Sequence, residues 1–142
     1  MKYHFKVHQE GKIYWAECLE LEGCNTQAHS KSHLQSQMKE ALHLYLDEPD
    51  TKRVFPSPDP SLKGRKVVEV AVDAQVAWAI SLRNARLNRG MTQREVAKSL
   101  KMKSVFAYQK MESSKTANPE LATIIKIKQV FPELKLDELL SA

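Results

Sequence analysis

Cys18 and Cys24, followed by His29 and His33, have the residue types of a zinc site. A zinc finger places about a dozen residues between its Cys pair and its His pair, whereas four residues separate Cys24 from His29. Reduced cysteines in or near a turn and two surface histidines account for the four, and a Cys18–Cys24 bridge would require the strand and turn around them to approach each other. His4 and His8 share one face of an alternating segment and have the chemistry of a general base. Metal-dependent phosphodiester cleavage needs clustered carboxylates, and the stretch from Lys2 to His8 has no Asp or Glu. Two exposed histidines opposite a core face explain the pair, so no catalytic residue, metal site or cofactor is expected. A third set lies near residue 110, where Phe106, Gln109 and Lys110 fall on one side of a short helical segment. An amide, an ammonium and an aromatic edge there have the chemistry to meet base edges, phosphates and a thymine methyl; a dimer contact or a half-buried place in the bundle is the alternative for Phe106.

Short capped helices must present that third set. Gly90 ends one helix in the left-handed conformation, and Thr92 with Glu95 forms a Thr-x-x-Glu capping box for the next. That helix carries Val96, Ala97 and Leu100 on one face. A turn at 101–103 leads to a helix from Ser104 to Glu112, with Tyr108 and Met111 inward. Asn118-Pro119-Glu120 reads as a cap with Pro at the first helical position, opening a helix with Leu121, Ile124, Ile125 and Lys128. Leu136, Leu139 and Leu140 give a short last helix. Residues 83–115 hold nine Arg or Lys, including Arg83, Arg86, Arg89 and Arg94, against Glu95 and Glu112. Such a surface attracts a phosphate backbone and gains affinity from counterion release; a bundle with a solvated basic face is the plainer alternative.

Residues 82–140 resemble the Cro and repressor-type helix-turn-helix family, with Arg86, Gly90, Thr92, Gln93, Val96, Ala97, Leu100, Glu112 and Pro119 on its motif. The resemblance implies DNA contacts from Gln93, Lys103, Ser104, Phe106, Gln109 and Lys110, with Arg94 beside them. Lys101 stands where that family usually has Gly, and the Thr92-to-Glu112 interval is one residue longer than usual.

The N-terminal half has a different grammar. Lys2 to His8 alternates, placing Tyr3, Phe5 and Val7 on a core face. Gln9-Glu10-Gly11 is a turn, Ile13 to Cys18 the hairpin partner, and Asn25 to Ala28 a third strand. Ser30 caps a helix from Lys31 to about Asp47 with a Leu34, Met38, Ala41, Leu42, Tyr45 stripe, ended by Glu48-Pro49-Asp50. A β-β-β-α unit this small is marginal alone, and the segment 67–72 supplies a fourth strand across a Pro-rich linker, 49–66. The expected class is α+β: a β-β-β-α-β domain over 1–72 and an all-α five-helix domain over 73–142, with Asp73 capping a helix from Ala74 to Arg89.

That order, together with Glu20-Leu21-Glu22-Gly23-Cys24-Asn25-Thr26-Gln27, the Ser30 cap, Glu40-Ala41-Leu42 and Pro56-Ser57-Pro58, resembles HicB, the antitoxin of HicAB toxin–antitoxin systems. The resemblance implies a truncated ribonuclease H-like sheet, a HicA-type messenger-RNA-cleaving toxin as partner, and repression of the chain's own operon. Residues 1–48 carry five Lys against seven Asp or Glu, while the whole chain is +5. An acidic face of Glu17, Glu20 and Glu22 would complement a basic toxin; solvated hairpin charges are the plainer alternative. The alternative function is a stand-alone helix-turn-helix regulator with a ligand-sensing or oligomerising first domain. A palindromic operator read by a homodimer or higher homo-oligomer is expected. With 42% hydrophobic and 27% charged residues, no apolar run of roughly 18 residues and no secretory signal, the expected compartment is the cytoplasm, without membrane contact.

Overall fold

The computed structural model describes residues 1–48 and 52–140. They form two compact units, residues 1–48 with 55–72, and residues 73–140, with 52–54 grouped with the second.

The first unit is a four-stranded antiparallel sheet in the order β3-β2-β1-β4, formed by β1 (Lys2–Glu10), β2 (Ile13–Cys18), β3 (Asn25–Ala28) and β4 (Val67–Ala71), with helix α1 (Lys31–Leu46) on one face. Gln9 and Glu10, expected in the turn, are the last residues of β1 and pair with Tyr14 and Ile13; the β1–β2 hairpin closes over Gly11-Lys12 instead, with Gly11 at φ +60°, as a two-residue loop matching the strand twist requires. Register pairs Phe5 with Cys18 and with Val68, and Tyr3 with Val70. Strand alternation then sends Tyr3, Phe5, Ala16, Cys18 and Val70 to one buried face. The α1 stripe that meets it is Leu34, Met38, Leu42 and Leu46, while Ala41 and Tyr45 are half-buried. Ser30 Oγ accepts from His33 N at the helix start, and α1 stops at Leu46, with Asp47 N donating to His43 O. Pro49 and Asp50, expected to end this helix, lie outside the described residues.

Part of the expected linker is fastened to its own sheet. Phe55 is buried with its ring 5.9 Å from that of Tyr45, Tyr3 Oη donates to Pro56 O at 2.8 Å, and Asp59 N donates to Glu20 at 3.1 Å. Proline-rich sequence described the backbone stiffness of this stretch and left its docking open, because a buried Phe and two long-range hydrogen bonds decide that.

The second unit has five helices: α2 (Ala74–Asn88), α3 (Gln93–Ser99), α4 (Val105–Met111), α5 (Leu121–Val130) and α6 (Leu136–Leu140). α2 is buried nearly all round, with Val76, Ala77, Trp78, Ala79, Ile80, Leu82 and Ala85 under 10% exposed, the signature of a central helix. Its end is closed by Gly90 at φ +65°, with Gly90 N donating to Leu87 O and Met91 N to Arg86 O. Asp73 stands at its N-cap without a side-chain capping bond. α5 departs from expectation at its start: Glu120, with extended backbone, is the cap, so Asn118 and Pro119 precede the helix. Leu121 and Ile125 are 74% and 53% exposed and Ile127 is the buried position, so the apolar spacing on α5 reads two faces at once.

Candidate nucleic-acid interface

Two N-caps set the orientation of α3 and α4. Thr92 Oγ1 accepts from Glu95 N at 3.1 Å and Ser104 Oγ from Ala107 N at 3.2 Å, each satisfying an amide that the first turn would otherwise orphan. Between the helices Lys101 holds φ +55°, with Lys101 N on Lys98 O and Met102 N on Ala97 O. The turn therefore needs the left-handed residue that Gly commonly supplies, and this chain makes it with Lys. A non-Gly residue there costs roughly 1–2 kcal/mol.

α4 divides as its sequence predicts. Tyr108 and Met111 are buried, and Phe106, Gln109 and Lys110 are exposed, Phe106 by 62%. Lys110 Nζ lies 4.9 Å above the Phe106 ring, a cation–π contact that fixes both side chains on one outward patch. Gln109 Nε2 donates to Gln93 Oε1 at 3.1 Å, and Gln93 Nε2 approaches Glu112 Oε1 at 3.4 Å. The first residue of α3 and the outward face of α4 are thus joined through one amide pair. Arg94, Lys103 and Ser104 are exposed around them, with the Ser104 hydroxyl engaged as the α4 cap.

Beneath this surface lies an ionic core that charge counting placed outside. Arg86 Nε and Nη2 donate to the two oxygens of Glu112 at 2.7 and 3.0 Å, and Arg86 Nη1 to Met91 O at 3.0 Å. Arg83 Nη2 reaches Glu112 O at 3.4 Å. Arg83, Arg86 and Glu112 are 7%, 4% and 2% exposed. Arg83 and Arg86 therefore do not belong to the phosphate-attracting surface, which correction leaves to Arg94, Lys98, Lys101, Lys103, Lys110 and Lys115, all exposed. Arg89 is engaged with Glu133 at 3.0 and 2.8 Å and stands 5.2 Å above Phe131. Burial opposes the charge on Arg86, yet the Glu112 hydrogen bonds and charge outweigh it and hold the guanidinium above its ordinary pKa. Burial, reinforced by Glu112, also pushes the Tyr108 phenol far up, so it is neutral at every ordinary pH. Among charged types, Arg and Glu enter cores only as pairs, and the presence of both Arg86 and Glu112 on the helix-turn-helix motif was the available signal.

In the first unit, the acids expected to form one face part company. Glu20 has a 4% exposed side chain and accepts from His4 N, His4 Nδ1 and Asp59 N at 2.8, 2.8 and 3.1 Å. Glu17 is partly exposed, 3.6 Å from His8 Nε2, and Glu22 is exposed. His4 and His8 do share a strand face, but His4 is 3% exposed, covered where Glu20 and the segment around Asp59 fold over it, and His8 stacks on Trp15 with centroids 4.0 Å apart. The expectation of two solvent-exposed histidines is corrected accordingly. Cys18 and Cys24 are both buried and free. Cys18 N donates to Cys24 O at 2.9 Å and their thiols are in hydrogen-bonding contact, which together with burial pushes the Cys18 thiol up. The approach that sequence left open is thus present. Among the described residues no helix is long and apolar enough to cross a membrane, and no three His, Cys, Asp or Glu are grouped to hold a metal ion.

Residues 82–139 match the helix-turn-helix family. That span runs from late α2 into α6 and includes the Arg86–Glu112 pair, both caps and the Gln93–Gln109 contact. No curated protein matches the chain. The C-terminal unit is a helix-turn-helix domain of the Cro and repressor type, and DNA binding in transcription regulation is its function class.

Proposed function

We propose that the chain is an autorepressing antitoxin, in which residues 73–142 bind a palindromic operator and residues 1–72 neutralise a HicA-type messenger-RNA-cleaving toxin. The observation that carries the DNA half is the Gln93–Gln109 pair at 3.1 Å, set over the buried Arg86–Glu112 bridge and rimmed by Arg94, Lys103 and Lys110. In this reading α4 enters the major groove, Gln109 meets a base edge with Gln93 bracing it, and Lys103, Lys110 and Arg94 meet phosphates. Phe106 contacts a thymine methyl. One seven-residue helix spans few base pairs, so two copies about one DNA turn apart supply the specificity. Leu121 and Ile125, one turn apart and exposed on α5, offer the second copy an apolar patch to cover.

The antitoxin half rests on the β-β-β-α-β order of the first unit joined to a repressor-type domain, and on the HicB-like residues from Glu20 to Gln27. Glu17 and Glu22 are the acids that remain available to a basic partner; Glu20 acts by holding His4 and the Asp59 segment in place. The test is co-expression with the protein encoded beside this gene, size-exclusion chromatography of the product, and growth with that neighbour expressed alone. A stable complex and a toxic neighbour are expected. A harmless neighbour that forms no complex overturns the antitoxin half, and failure of the pure chain to shift DNA from its own promoter overturns the repressor half.

A further inference from the structure

On the helix-bearing face of the first unit, α1 stands over β2 and β3 and leaves part of β1 and β4 uncovered. A cavity of about 500 Å³ opens there, a volume in the range of sites that hold small organic ligands. Its floor is apolar, formed by Val7, Val68 and Val70, and Leu34 and Met38 of α1 make one wall. Val68 is 38% exposed, so a valine on the edge strand β4 is presented to the space. Around that floor the lining is polar: besides His8, Gln9, Tyr14 and Gln35 it carries three lysines and Glu69. Lys31 and Lys66 line the cavity, are exposed, and have no ion-pair partner among the described residues; Lys39 joins them on the lining. Glu69 also borders the cavity, but its carboxylate is directed to His4 Nε2 at 3.7 Å and Lys2 Nζ at 3.9 Å. Cationic charge is therefore left facing an apolar space.

The backbone fixes where Lys66 stands. Lys66 takes φ +66° in the turn that leads into β4, and its carbonyl accepts from Val7 N at 2.8 Å, so this cationic residue of the lining is anchored to the strand that supplies Val7 to the floor.

We infer that this cavity is a binding site for a small amphipathic anion, whose carboxylate or equivalent head is held by Lys31 and Lys66 and whose apolar body lies on Val7, Val68 and Val70. An apolar floor bordered by lysines selects for that combination: a neutral hydrocarbon leaves the lysines unused, and a cation of the same length is repelled by them. The site does not depend on the antitoxin reading.

Decanoate and decyltrimethylammonium, titrated below their micelle concentrations into the full ¹⁵N-labelled chain, test the inference by amide chemical shift. Decanoate is expected to give saturable shifts at Val7, Leu34, Val68 and Val70, and the cation none. Lys31→Glu, an exposed change, is expected to weaken decanoate by about tenfold or more, as loss of a charge-assisted contact does, and Val68→Phe, which fills the floor, to weaken it without moving the DNA-binding amides. Absence of saturable shifts, equal titration by both probes, or unchanged decanoate affinity in Lys31→Glu overturns the proposal.

Discussion

Replacing Glu112 by Gln tests whether the ionic core holds the DNA-binding unit together. Glu112 and Arg86 meet at 2.7 and 3.0 Å with side chains 1% and 5% exposed, and Arg83 Nε stands 3.8 Å from the same carboxylate. Glu112→Gln removes the carboxylate that faces two buried guanidinium groups while leaving the shape nearly unchanged. Breaking a buried pair by removing one partner costs about 3–5 kcal/mol, because a charge is left without compensation away from water. Gln retains one acceptor, so the lower end, ~3 kcal/mol, is expected. A unit of this size has on the order of 3–10 kcal/mol of stability in total, so the change should leave a measurable unfolded fraction near 37 °C. The assay is urea unfolding followed by fluorescence in a Trp15→Phe background, so that Trp78, buried in α2, reports alone, with amide exchange in α2 to α4 to localise the loss. A cost below about 1 kcal/mol for Glu112→Gln, with an unchanged urea slope, would refute the reasoning, since it would require the carboxylate to be as well solvated as a surface pair.

Three further perturbations address the turn and the outward face. Lys101→Gly should raise stability by about 1 kcal/mol, because Lys101 occupies φ +55° where only Gly avoids the Cβ clash; chemical denaturation reads this, and a loss would mean that the Lys side chain stabilises the turn. Gln93→Ala and Gln109→Ala should each weaken operator binding by about tenfold, as removal of a base-reading contact does, with unfolding midpoints unchanged; because the two amides bond each other, the double variant should lose less than the sum. Strict additivity, or parental affinity in both, would exclude the pair from recognition. Lys110→Ala should weaken binding on every DNA sequence and lower the log–log salt slope by about 0.9; an unchanged slope would place Lys110 off the phosphates.

The antitoxin reading and the anion site make separate demands on the first unit. A toxin meets an outer surface, where exposed charge governs encounter rate more than affinity. The proposed anion would occupy the half-open cavity between α1 and the β1–β4 edge. Variants at Glu17 or Glu22 should therefore leave decanoate binding intact, and Lys31→Glu should leave helix-turn-helix DNA binding intact.

Sequence by itself determined the elements whose causes lie within four residues. The Thr92–Glu95 and Ser30–His33 caps, the Gly90 helix end and the alternation of Tyr3 and Phe5 are local physics, and the strands and helices stand within a residue or two of where those signals put them. The Tyr108 and Met111 inward register of α4 followed from helical spacing for the same reason. Tertiary structure decided what depends on groups distant along the chain. Arg83 and Arg86 read as surface charge until Glu112, 26 residues beyond Arg86, is brought against them. His4 reads as exposed until Glu20 and the Asp59 segment close over it, and the apolar residues of α5 do not tell by spacing that Ile127 is buried while Leu121 and Ile125 are exposed. Periodicity reports that a face is apolar or polar; it carries no record of which distant group covers that face, and burial of a charge is settled by the presence of its partner.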